Sequence, residues 1–357
     1  NYDMIPVQEP LPDVANAKIN FTIDEEFYSR DKFYPEQRAK IENQGVIRDH
    51  KVIQLEIFPF EYNPDKKELR FYKNIEVKLK YEGKYPNTNN KKELLRDFYG
   101  DIILNYDSTE NWPSEDEQNL VLQSESGERA DYLVITYDSF YNSILPLVSL
   151  KEEKGLETKI VETSQILDVN ANGLDDIDIY SYIYNAYHTW ELPPTYVLLV
   201  GDVETVPTHY GLPHSYYGGE KVATDHYYST VDGNDYFSDV FVGRLSVKSS
   251  SELDVVVDKI IKYEKTPYID GIDWYRKAML YHGLERNVWY ETSQFIKSLL
   301  TSNGFTYIDM FNDDSHSTAD VINAINNGRS FLNYRGHGTK TKWANTPFDN
   351  SDILALN

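Results

Sequence analysis

The 357 residues contain no cysteine, which excludes disulfides and thiolate metal sites. Cationic side chains are scarce as well: 35 Lys and Arg stand against 58 Asp and Glu, a formal net charge of −23. Without a positive field the chain is not expected to bind nucleic acid or an anionic membrane surface. An extracellular or salt-tolerant protein, or one with cationic partners, suits the balance better. No apolar run approaches the roughly 18–20 residues that span a bilayer, so no membrane span is expected. Neither a Gly-x-Gly-x-x-Gly nor a Gly-x-x-x-x-Gly-Lys-Ser/Thr run opens a helix, which leaves a nucleotide-binding reading weak. His-Glu-x-x-His is missing too, and no other spacing argues for a metal. The chain opens on Asn1 with no signal peptide, compatible with a leader already removed.

What is present is ample core material. Hydrophobic residues make up 40% and aromatic residues 14%, and the length accommodates two domains. The 30 tyrosines suit recognition surfaces, but their commoner role is packing at the edges of sheets.

Residues 1–82 read as a small β-rich domain. Lys51-Val52-Ile53-Gln54-Leu55-Glu56-Ile57, Leu69-Arg70-Phe71-Tyr72 and Ile75-Glu76-Val77-Lys78-Leu79-Lys80-Tyr81 have strand composition, with turn chemistry expected between Pro59 and Asp65. Residues 83–129 are polar and poor in β-branched side chains, as in an exposed linker or an extension of the first domain. From 130 to 357 the pattern turns α/β. Strands are predicted at 132–136, 158–161, 196–200, 241–245, 278–282, 306–310 and 330–334. Helices are predicted at 139–154, closed by Gly155, and at 177–190, 250–264, 288–302 and 318–327. Ser249 and Glu252 suggest a capping box on the third of these. Such alternation implies a mostly parallel sheet with helices on both faces, whose ligands gather at the carboxyl ends of the strands.

The most informative stretch is Ser330-Phe331-Leu332-Asn333-Tyr334-Arg335-Gly336-His337-Gly338. It reads as a buried strand that delivers an imidazole to its exposed end. Gly336 and Gly338 remove steric cover and allow close approach of a substrate, and histidine is the side chain best suited to move protons near neutral pH. Glu285 also lies just past a strand end, so both can face one crevice. His282, His226, His209 and His214 are read as turn or surface contacts.

Several ordered blocks resemble the gingipain-type cysteine peptidases, the C25 group of the caspase-like clan. Asn333-Tyr334-Arg335-Gly336-His337-Gly338-Thr339, with Trp343 following, is similar to their catalytic-histidine block. Val200-Gly201-Asp202, Thr224-Asp225-His226-Tyr227-Tyr228, Val231-Asp232-Gly233-Asn234-Asp235-Tyr236, Asp239-Val240-Phe241-Val242-Gly243-Arg244-Leu245 and Asp258-Lys259-Ile260-Ile261-Lys262-Tyr263-Glu264 continue the likeness in order. Upstream, the strands around 59–64 are similar to the β-rich prodomain of that family.

The resemblance implies a caspase-like catalytic domain and a secreted or cell-surface endopeptidase made as a zymogen. It implies a Cys–His dyad in which His337 activates a thiol and Glu285 fixes its ring, with Gly336 and Gly338 in the substrate or oxyanion region. A protein or peptide is then the substrate. No cofactor is required, though a structural calcium ion is the alternative to plain turn chemistry at Asp232 and Asp235. The family's cysteine lies on the strand after the histidine block, beyond Asn357. This chain by itself is therefore expected to be inactive and to be completed by a second polypeptide. The acid that selects arginine has no match near Trp289 and Tyr290. A loop at 44–48 is the candidate to reach the His337 crevice from the prodomain. A non-catalytic binding or scaffold protein is the alternative function.

Overall fold

The computed structural model describes residues 4–8, 21–48, 50–80, 96–107, 127–213, 219, 221–267, 272–283, 287–339, 341–343 and 348–356. The chain separates into two compact units, Asn1–Ile261 and Lys262–Asn357.

The first unit begins with a one-turn helix, α1 (Glu25–Tyr28), whose Asp24 carboxylate accepts the Phe27 N–H at 2.9 Å. Strands β1 (Ala39–Ile47) and β2 (His50–Ile57) form an antiparallel hairpin with a register slip between Ile41 and Asn43. Residues 44–47, expected in a loop, are the end of β1, and Arg48 in the turn is buried. The slip breaks the period-2 alternation, which is why β1 is hard to see in the sequence.

A second hairpin pairs β3 (Phe60–Asn63) with β4 (Glu68–Phe71). The expected turn at 59–65 therefore falls later, at 64–67, where Lys67 takes φ 52°. Strand β3 is disguised because its polar residues face inward. Glu61 and Asn63 are buried while Phe60 is exposed. Glu61 is matched there by Arg38, by Arg70 at 3.3 Å and by the Tyr72 hydroxyl at 2.6 Å. Ile75 to Lys80 was predicted as a strand, but it joins no ladder among the described residues, and Tyr81 lies outside them. Helix α2 (Arg96–Ile102) falls within the polar stretch, and its Tyr99 is buried against His50, ring centroids 4.7 Å apart.

The α/β part of this unit is close to its sequence reading. Strands β5 (Tyr132–Thr136), β6 (Thr158–Glu162), β7 (Tyr196–Val200) and β10 (Phe241–Leu245) make one parallel sheet in the order β10-β7-β5-β6. The two-residue strands β8 (His209–Tyr210) and β9 (Ala223–Thr224) pair separately. Alternation along the sheet fills two cores. Leu133, Ile135, Val197 and Leu199 pack with Ile179, Ile183 and Ala186 of α4 (Asp176–Thr189). Val134, Leu198 and Val200 pack with α3 (Tyr141–Glu153) and with Leu253 and Val257 of α5 (Ser250–Lys265). Helix α3 stops where Gly155 adopts φ 87°, a conformation that favours glycine. Helix α4 starts in a reciprocal cap between Asp175 and Asp178.

In the second unit β11 (Lys277–His282) lies between β12 (Tyr307–Asn312) and β13 (Phe331–Arg335), all parallel. Helix α6 (Asn287–Ser302) follows β11. Helix α7 (Thr318–Asn326) is capped by Ser317 and Asp320 and sends Val321 and Ala324 into a core with Met279 and Tyr281. A final turn, α8 (Asn350–Leu354), is capped by Asp349. Ala278, Met279, Leu280 and Tyr281 are fully buried. Strand β13 is not: Phe331 and Leu332 are 37% and 40% exposed, because among the described residues it has a neighbour on one side only. The buried strand expected at 330–334 is an edge strand.

Candidate active site

His337 follows β13 by two residues and is exposed. Its surroundings hold the backbone and the ring. The Tyr334 hydroxyl folds back and donates to the His337 carbonyl at 2.7 Å. That path runs directly over Gly336: a Cβ there would sit 2.4 Å from the Tyr334 oxygen and would force the ring to move. Gly338 is different, since an added Cβ would meet only the Lys342 carbonyl at an ordinary 3.7 Å. Gly338 instead bridges to Trp343, and Thr339 N–H donates to the Lys342 carbonyl at 2.8 Å. Trp343 closes the loop by stacking on Tyr334, ring centroids 4.1 Å apart and planes 11° from parallel. A hollow of about 380 Å³ lined by Tyr334, Gly336, Gly338, Trp343 and Phe348 opens beside this loop.

The imidazole meets Trp289, in the first turn of α6, edge to face, with centroids 5.4 Å apart and planes at 73°. Trp289 is itself buried, pressed against Gly283 so closely that a Cβ would lie 2.6 Å from its ring. The Gly283 N–H donates to the Arg335 carbonyl at 2.9 Å and so extends the β11–β13 ladder to the edge of the site. Trp289 is the residue that sequence reasoning missed, having been considered only for the acid it is not. The signal was the glycine at the end of β11, six positions before it. Glu285 lies outside the described residues.

The other histidines take different roles. His282, expected at a turn or the surface, is buried in β11, and its Nδ1 donates to the Gly283 carbonyl at 3.1 Å. His226 is exposed in a turn. His209 pairs with Asp176 at 2.6 Å and stacks on Tyr227. His214 lies outside the described residues.

The acidic run at 232–235 is committed to the backbone. Asp232 accepts the Gly233 N–H at 2.8 Å, and the two Asp235 oxygens accept N–H groups of Val46 and Phe237, each at 2.8 Å. Among the described residues no group of three or more His, Asp or Glu is placed to hold a metal ion. Asp202, at the carboxyl end of β7, is held below the usual carboxylate range by the Val203 N–H and by Lys248.

Arg244, at the end of β10, explains the blocks around 201–208 and 224–228. Its guanidinium donates to both Asp225 oxygens at 2.7 and 2.8 Å and to the carbonyls of Gly201, Val206 and Pro207 at 2.9, 2.7 and 3.0 Å. Burial raises the Asp225 carboxyl, but hydrogen bonds from Arg244 and Thr208 and the charge of Arg244 bring it below its ordinary value. These residues shape loops rather than perform chemistry.

Comparison with known proteins agrees with the geometry. Residues 125–357 match the model of peptidase family C25 and residues 1–112 match that of the C25 propeptide. Gingipain R2 of Porphyromonas gingivalis is 28% identical over 343 residues, covering 92% of this chain, and Lys-gingipain of the same organism is 24% identical over 363. The chain spans 43% of the length of gingipain R2 and 19% of that of Lys-gingipain. The crystal structure of the Arg-specific cysteine proteinase gingipain R, 28% identical, superposes on 66% of this chain and 53% of that one with a TM-score of 0.56. A complex of the pro- and mature domains of RgpB from P. gingivalis gives 0.54 over 64% of this chain. The fold is caspase-like α/β. No helix among the described residues is long and apolar enough to cross a membrane.

Proposed function

The chain belongs to peptidase family C25, and we propose that the protein containing it is a secreted or cell-surface cysteine endopeptidase made as a zymogen, in which His337 is the general base. The observation that carries the reading is an exposed imidazole, fixed by Trp289 and by the Tyr334–His337 bond, at the end of a strand that has one edge unpaired among the described residues.

The nucleophile has to come from outside these 357 residues, since they contain no cysteine. In this reading a further strand, most simply on a second polypeptide, brings the thiol to the open side of β13. His337 then accepts its proton, giving a thiolate and an imidazolium. The thiolate attacks the scissile carbonyl carbon of a protein or peptide. The imidazolium returns the proton to the leaving amine as the C–N bond breaks, and a thioester remains. Water, deprotonated by the same imidazole, hydrolyses that thioester and restores the thiol. Glu285 is assigned to the far ring nitrogen, where a carboxylate would hold the tautomer, and Gly336 and Gly338 to the substrate side. The dyad needs no cofactor. Residues 1–112 restrain the enzyme until they are removed.

The test is hydrolysis of a quenched peptide library by the complete encoded protein after removal of its propeptide. Turnover abolished by iodoacetamide is expected. Turnover that survives alkylation of every thiol would contradict the reading.

A further inference from the structure

One buried side chain of the first unit, Arg48, ties the propeptide segment to the peptidase segment. It belongs to the β1–β2 turn in the propeptide, yet its partners lie near residues 194 and 239 of the peptidase segment. The Arg48 N–H donates to Asp239 Oδ1 at 2.8 Å. Its Nη1 donates to the carbonyls of Pro194 and Asp239 at 3.3 and 3.2 Å, and its Nη2 to Thr195 Oγ1 at 3.1 Å. The guanidinium carbon lies 5.8 Å from the ring centroid of Tyr187. Pro194 and Thr195 immediately precede β7 and Asp239 nearly adjoins β10, so the side chain enters at the amino ends of those strands. Arg48 adopts φ 58°, uncommon for a residue with a Cβ, and these contacts hold it there.

The neighbouring backbone is read in the same way. The Val46 N–H, two residues earlier near the end of β1, donates to Asp235 Oδ2 at 2.8 Å. Gly45 lets the chains approach: a Cβ there would fall 2.5 Å from the Phe237 ring. The Tyr236 hydroxyl donates to Gln54 of β2 at 2.8 Å and accepts from Asn43 of β1 at 3.2 Å. The receptor side is set by its own bonds as well, because Asp239 Oδ2 accepts the N–H groups of Val231 and Asp232 at 2.9 and 2.8 Å.

We propose that residues 231–239, with the amino ends of β7 and β10, are the receptor for the propeptide hairpin, that Arg48 is its anchor, and that this contact retains the propeptide once the connection between the two segments is cut. The inference rests on the zymogen reading for the cut itself but not on any catalytic activity. It places the prodomain's 44–48 segment at the amino ends of the β10-β7-β5-β6 sheet.

The experiment introduces a site for a specific protease between residues 112 and 125 of the full chain, cuts the folded protein and measures whether the halves stay together. Co-elution at micromolar concentration is expected, with affinity weakened roughly thirtyfold or more in Arg48→Ala, as for other buried hydrogen-bonded cations that lose their side chain. Arg30→Ala, which removes an exposed cation whose ion pair among the described residues is with Glu26 of the propeptide, is expected to change affinity less than twofold. Separation of the cut wild-type halves, or an Arg48→Ala affinity within threefold of wild type, would overturn the proposal. If Arg48→Ala does not fold, Asp235→Asn and Thr195→Val decide the matter from the receptor side. Several-fold weakening by either supports the anchor, and no change in both overturns it.

Discussion

The two units are built from the same strand-and-helix alternation and end in opposite conditions. In the first, β5 and β7 are covered on both faces and polar side chains at the strand ends are used up by structure. Arg244 alone closes five hydrogen bonds to one carboxylate and three carbonyls. In the second, β11 is buried from Ala278 to His282, but β13 leaves two large apolar side chains at the surface, and the histidine that follows it is exposed. An unpaired, half-apolar edge is a place where another strand adds. Stability is therefore concentrated in one unit and the candidate chemistry in the other, and a histidine's function depends on which surroundings it meets.

The sharpest way to break this contrast is to exchange the histidine that is mutated. His209 with Asp176 has the closer resemblance to a catalytic pair, at 2.6 Å, but it sits in the structurally saturated unit. In the complete enzyme His337→Ala should lower kcat/KM by about four orders of magnitude, while His209→Ala should leave it within about threefold; the reverse ranking would move the site. Next in size is core stability. Ile135→Ala, in the covered sheet, should cost about 2–5 kcal/mol in denaturant titration, and Leu332→Ala, on the open edge, should cost less than about 1.5 kcal/mol. Equal losses would mean that β13 is already covered.

Trp289→Ala tests positioning within the second unit. It should reduce kcat by about tenfold, close to the contribution of an aromatic pair, and displace the acid limb of the pH–rate profile, with Trp289→Phe restoring most of both. A smaller effect is expected from acid. Asp225 is held below its ordinary value of 3.8 in the folded unit, so the unfolded chain binds its proton first as pH falls. Its stabilising contribution is present above that value and lost as pH drops through the depressed one. Thermal melts should therefore be flatter with pH below about 4 in Asp225→Asn than in wild type; parallel curves would remove Asp225 from the account.

Much of the second half was legible because period and punctuation agree there. Gly155 stops α3, Asp175 opens α4, and the apolar runs of β5, β7 and β11 are too short and too β-branched or aromatic to be helices. The first domain resisted for local reasons. Strand β3 buries Glu61 and Asn63 instead of Phe60, and β1 carries a register slip, so neither shows the alternation by which strands are found. The candidate histidine and its flanking glycines stand out in the sequence because their pattern is local. Trp289 was not, because its contact depends on α6 returning to β13. The fate of Arg48 was hidden for the same reason, with partners about 150 and 190 residues away.

The central claim, that His337 serves a thiol supplied from outside these 357 residues, is tested most directly by locating a covalent label. The complete protein, treated with a peptidyl halomethyl ketone, would be digested and the modified residue identified by mass spectrometry. The account predicts a single fast-reacting cysteine beyond this sequence, and loss of that fast labelling in His337→Ala. Label on a residue within positions 1–357, or cysteine labelling unchanged without His337, would contradict it.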